Sequence, residues 1–199
     1  MKKILLLVAV MLLAASSAFA QFSLGGHAAA NFSTMWGDDT KDVPWGLGFN
    51  AGVATKISLG LFAVAPEVDV GLRRQSDDEV TWSTWAIEIP ILARINVLPI
   101  LFIEAGPQLA FLLSSEIEQD FGMGSVTIDY GDDKIDALNT FEFGVAAGIG
   151  VTVIPNLDLN FRSVIGFTSV IDVKKVEPEA DDQSIKNLQF QVGATYWFM

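Results

Sequence analysis

The sequence predicts an all-β protein: an eight-stranded, antiparallel, up-and-down transmembrane β-barrel. Three observations predict it. Apolar and small polar residues alternate with period two along most of the chain. Long acidic connections alternate with tight turns. Mean hydropathy is positive, +0.41, yet no uninterrupted apolar run after residue 20 reaches the roughly 20 residues of a spanning helix. A hydrophobic chain without spanning helices satisfies its backbone in lipid only as a closed barrel.

The chain opens Met1-Lys2-Lys3, runs apolar from Ile4 to Ala15, and continues Ser16-Ser17-Ala18-Phe19-Ala20. A short basic region, an apolar stretch and an Ala-x-Ala end describe a secretory signal peptide over residues 1–20, cleaved after Ala20. The apolar stretch, about a dozen residues, is too short for a helical anchor. Residues 21–199 then form one domain. With Lys2 and Lys3 removed, ten basic residues face 24 acidic ones, so the formal charge falls from −12 to −14. Such an acidic chain is not built for nucleic acid. The absence of cysteine excludes disulfides and a lipoprotein anchor.

Eight alternating segments follow. In Phe22–Thr34, Phe22, Leu24, Ala28, Ala30 and Phe32 face opposite to Ser23, Gly25, His27, Asn31 and Ser33. In Gly46–Leu59, Leu47, Phe49, Ala51, Val53 and Ile57 oppose Gly48, Asn50, Gly52 and Lys56. Leu61–Arg73 sets Phe62, Val64, Val68, Val70 and Leu72 against Ala63, Glu67, Asp69, Gly71 and Arg73. In Ser83–Val97, Trp85 and the isoleucines oppose Glu88 and Arg94. Ile100–Leu113 opposes Ile103, Ala105, Leu109 and Phe111 to Glu104, Gly106 and Gln108. Thr140–Val153 places Glu142, Gly144, Gly148 and Gly150 on its polar face, and Leu157–Ser169 places Asp158, Asn160, Arg162 and Gly166 there. Leu188–Phe198 closes with Gln189, Gln191, Gly193 and Thr195 opposite Phe190, Val192, Tyr196 and Phe198. Each segment reaches the tilted spanning length of roughly 9–11 residues or slightly more.

The connections near Ser58-Leu59-Gly60, Val97-Leu98-Pro99 and Ile154-Pro155-Asn156 are tight, whereas Met35–Trp45, Arg74–Trp82, Ser114–Asn139 and Val170–Asn187 are long. Outer-membrane barrels have short periplasmic turns and long external loops. Of the 24 acidic residues, 18 lie in the four long segments. The other six, Glu67, Asp69, Glu88, Glu104, Glu142 and Asp158, fall on the polar face. A lipid-facing charge costs a few kcal/mol near the midplane, about 2–4 for a basic residue, so their placement is the expected one for a membrane barrel.

Alternation alone also fits a soluble, lipocalin-like barrel with its apolar face inward. Residue size favours the membrane: the polar face is rich in Gly and Ala, suiting the crowded interior of an eight-stranded barrel. Aromatics gather at the strand ends, with Trp36, Trp45, Trp82, Trp85 and Phe141 on the loop side. Phe22, Phe62, Phe102, Tyr196, Trp197 and Phe198 lie on the turn side. This pattern predicts two interfacial girdles. Pro66, Pro90 and Pro107 sit within strands of a structure without edges, and bulges are expected there.

The stretch Ile87-Glu88-Ile89-Pro90-Ile91-Leu92-Ala93-Arg94, followed by Phe102-Ile103-Glu104-Ala105-Gly106-Pro107, resembles the PorT-like outer-membrane β-barrel family, with its "EIPLL" and "YLEAGP" strands. Asp158-Leu159-Asn160-Phe161-Arg162 and Gly166-Phe167-Thr168 resemble its next strand, and Gln189 to Phe198 its closing strand. The final Met199 departs from the usual terminal aromatic. The resemblance implies an outer-membrane barrel and says little about activity.

Catalytic residues are not expected. His27, the only histidine, lies on the polar face and is read as an interior residue bonded to neighbours such as Gln189 or Gln191. A lipid-acting enzyme would need its groups turned towards the membrane. The polar-face ions are read as an interior charge network of Glu67, Asp69, Glu88, Arg94, Glu104, Glu142 and Arg162, joined by Arg73 and Lys56, because buried charges must be paired. Counting from the tight turns places Arg94 near Glu104 and Arg162 opposite Gly148. No cofactor or metal site is expected. Asp129, Asp132, Asp133 and Asp136 offer oxygen ligands, but their spacing does not match a calcium loop. The expected partners are outer-membrane lipid and lipopolysaccharide, the barrel-assembly machinery, and an extracellular ligand of the acidic loops. The expected role is non-enzymatic, structural or loop-mediated binding at the outer membrane, with a narrow passive pore as the alternative.

Overall fold

The computed structural model describes residues 21–37, 45–76, 80–120, 125–129, 140–168 and 185–198. The predicted signal peptide and most of the acidic loops, including Asp132, Asp133 and Asp136, lie outside the described residues. The strands are β1 (Gln21–Gly37), β2 (Gly46–Leu59), β3 (Phe62–Ser76), β4 (Val80–Asn96), β5 (Leu101–Asp120), β6 (Ser125–Asp129), β7 (Phe141–Ile154), β8 (Leu157–Gly166) and β9 (Ile185–Trp197). Eight of them close a ring in the order β1-β2-β3-β4-β5-β7-β8-β9, with β9 pairing back to β1 and every pairing antiparallel. β6 stands outside the ring. It pairs with Glu116–Asp120 of β5, on the edge that β7 leaves above Phe111.

Several strands run beyond their expected ends: β5 continues to Asp120, β3 to Ser76, and β4 begins at Val80. Lipid contact imposes the apolar alternation that sequence reading follows. Beyond the hydrocarbon, backbone pairing needs no such pattern, so the strands continue into polar segments. The turn at Gly60-Leu61 joins Leu59 to Phe62 directly, and Gly60 has φ of 70°, the left-handed conformation that glycine adopts without a Cβ clash.

The chain is inside out relative to a soluble barrel. Among the described residues, 23 polar or charged side chains are buried against 11 hydrophobic ones, and seven of those 11 are alanines. The large apolar side chains, such as Phe49, Val53, Ile149 and Phe161, face outward and are about half exposed. This distribution overturns the lipocalin-like alternative, since a barrel in water would bury those side chains.

Two expectations need correction. Phe102 and Trp197 do not join the turn-side girdle: both point into the lumen, 1% and 4% exposed. Their outward-facing neighbours Ile103 and Tyr196 fix the phase, and period two outweighs position along the strand. The prolines cause no bulges either. The β2–β3 pairing skips from Ala54–Glu67 to Ile57–Val64, and β4–β5 from Pro90–Gln108 to Ala93–Ala105, with register unchanged in both. A missing N–H removes a ladder bond without needing an extra residue, and Thr55 Oγ1 donates to the Pro66 carbonyl at 3.1 Å. The register shifts occur instead at Trp85/Ala86 and Thr152/Ile154.

Candidate functional site

The lumen holds every member of the expected charge network, each buried except Lys56, which is partly exposed. Arg162 projects from β8 towards β3, four strands away around the ring in either direction. Its two terminal nitrogens donate to Glu67 at 2.6 and 2.7 Å, and Nε donates to Glu104 at 2.5 Å. Gly148, directly across the β7–β8 pair, lets the arginine stem leave the wall: a Cβ there would stand 2.9 Å from Arg162 Cγ. Arg94 pairs with its cross-strand neighbour Glu104 at 2.9 Å and reaches Asp158 at 2.7 Å. Both register expectations are met.

Asp158 also accepts from Thr152 Oγ1 at 2.7 Å and Trp197 Nε1 at 2.9 Å, with Lys56 Nζ 3.8 Å away. The two inward aromatics form a floor at the turn end. Arg94 lies 3.7 Å over the Phe102 ring, and Lys56 4.2 Å over Trp197. This placement gives each ring a cationic partner.

Towards the loops, Arg73 donates to Glu88 at 2.9 Å and to Glu142 at 2.6 Å. Glu88 also accepts from Asn50 at 2.8 Å and Gln191 at 3.4 Å, and Asn31 donates to Asn50 at 2.6 Å. Two small cavities border Arg73 and Glu142, each of about 10 Å³, the room of a single water. Higher still, Trp82 Nε1 donates to Ser115 Oγ.

His27 departs from expectation. Its Nδ1 stands 3.2 Å from Asp69 Oδ2 and 3.8 Å from Glu67 Oε2, so it pairs with acids of β3 and not with Gln189 or Gln191. Gly52 lies between them, facing His27 on β1 and Asp69 on β3. Without a Cβ on β2, the two side chains meet over the gap. The β2–β3 register was readable from the tight turn, but a long loop joins β1 to β2, and no sequence count fixes that register. Asp158 and Arg73 also belong to the network, as their polar-face phase indicated. Among the described residues, donor atoms of His27, Glu67 and Asp69 lie within 4.8 Å of one another.

Residues 16–172 match the profile of the outer membrane protein beta-barrel domain family. Among solved structures, Neisserial surface protein A is similar in fold, with TM-score 0.54 and 12% identity over 90% of this chain and 99% of that one. Ail, the attachment invasion locus protein of Yersinia pestis, gives TM-score 0.52 and 11% identity over 89% and 99%. A comparison with curated proteins gives no match.

Proposed function

The chain belongs to the outer membrane protein beta-barrel domain family, and on that premise we propose that it is a non-enzymatic barrel whose closed lumen supports loops and strand ends that bind at the cell surface. The packed lumen carries this reading: Arg162, Arg94 and Arg73 cross it at three levels, each tied to two carboxylates. External strand ends then remain as the surface for partners. There β3, β4, β5 and β6 form a continuous sheet, with Ser76 paired to Thr81, Val80 to Gln119 and Asp120 to Ser125. His27 turned into the lumen, away from lipid, supports the non-enzymatic part. The finer PorT-like affiliation rests on the Ile87–Arg94 and Phe102–Pro107 stretches. Cleavage after Ala20, lipopolysaccharide contact and passage through the barrel-assembly machinery belong to the same reading.

The alternative is a narrow pore. Planar-bilayer recording of the purified protein separates the two. The expected result is no steady conductance; a steady, reproducible conductance overturns the closed-lumen reading.

A further inference from the structure

His27, Glu67 and Asp69 stand where the ion network is incomplete. Among the described lumen carboxylates, Asp69 alone has no arginine or lysine partner. It is 1% exposed, and its Oδ1 meets no hydrogen-bond donor. A buried carboxylate oxygen without a partner is costly. A Cβ at Gly52 would overlap that oxygen, so the glycine keeps the space beside it open.

We propose that His27, Glu67 and Asp69 form a binding site for one divalent transition-metal cation, of the zinc class, in the middle of the lumen. One imidazole and two carboxylates are a donor set suited to such ions. Bonds of about 2.0–2.1 Å in tetrahedral geometry place donor atoms roughly 3.3 Å apart. His27 Nδ1 stands 3.2 Å from Asp69 Oδ2 and 3.8 Å from Glu67 Oε2, and Asp69 Oδ1 offers a further donor.

The surroundings fit as well. Ligating carboxylates are themselves held by hydrogen bonds. Arg162 holds Glu67 at 2.6 and 2.7 Å. His27 Nε2 and Asn160 Oδ1 both border Gly193, within 2.7 and 2.6 Å of where a Cβ would stand, and each is buried without a hydrogen-bond partner. Charge agrees: six lumen carboxylates face Arg73, Arg94, Arg162 and Lys56, so a divalent cation brings the set to formal neutrality.

The site is enclosed, so loading accompanies folding. The test is to refold the chain into detergent with Zn²⁺, desalt it, and measure zinc per folded barrel by elemental analysis. The same refolding with Co²⁺ should give the visible absorption of a tetrahedral site. One zinc per wild-type barrel is expected. His27→Gln and Asp69→Asn should each lower retention at least about tenfold. Ser163→Ala, on the lipid face, should leave it unchanged. Background zinc in the folded wild type overturns the proposal. Retention that survives both His27→Gln and Asp69→Asn overturns it too. If either variant fails to fold, the wild-type stoichiometry alone decides.

Discussion

The two halves of the lumen solve the same problem differently. In the turn-side half, Glu67, Glu104 and Asp158 face Arg94, Arg162 and Lys56, one cation for each carboxylate. Phe102 and Trp197 cover this half from below. In the loop-side half, Arg73 alone serves Glu88 and Glu142, and amides from Asn50 and Gln191 supply the remaining donors. That half opens onto two water-sized cavities. Arg162, Glu67, Glu104 and Arg94 are sealed in the lumen and need ionic partners, whereas Glu88 and Glu142 share one arginine and rely on amides and the adjoining cavities. Asp69 and His27 sit at the boundary, where neither solution is complete.

Arg162→Met should break this contrast most severely. It leaves Glu67 with only His27 at 3.8 Å and removes one of the two arginines of Glu104. Removing one partner of a buried ion pair costs about 3–5 kcal/mol. Urea unfolding of the folded barrel in lipid, followed by tryptophan fluorescence, should show a loss of this size.

Arg73→Met tests the other half. Glu88 keeps Asn50 and Gln191, and Glu142 can take water from the adjoining cavities. A loss of about 1–3 kcal/mol is expected, the penalty of leaving polar groups partly satisfied. The same unfolding assay compares the two variants directly. Equal losses would mean that amides and the adjoining cavities do not compensate Glu88 and Glu142.

The contrast also marks how far sequence reading reached. The eight-stranded ring was legible because lipid on one face and a crowded interior on the other impose period two on every strand. Arg94–Glu104 and Arg162–Gly148 were legible because tight turns fix hairpin register. His27–Asp69 was not, since β1 and β2 are joined by a long loop. The diametric reach of Arg162 to Glu67 depends on ring closure and rotamer, which adjacent-strand counting does not contain. β6 and the outer part of β5 were hidden for another reason: above the membrane nothing forces alternation. Phe102 and Trp197 lie at strand ends yet face inward, because phase outranks position along a strand.

The smallest predicted effect probes the floor. Trp197→Phe keeps an aromatic ring beneath Lys56, now 4.2 Å from the Trp197 ring, but removes the Nε1 donor 2.9 Å from Asp158. Asp158 retains Arg94 at 2.7 Å and Thr152 at 2.7 Å, so no charge is left alone. A loss of about 1 kcal/mol follows from one hydrogen bond removed within a satisfied network. If the urea midpoint instead falls as far as in Arg162→Met, the floor and the arginine pairs act as a single unit. The turn-side half would then owe its stability to Trp197 as much as to its balanced charges.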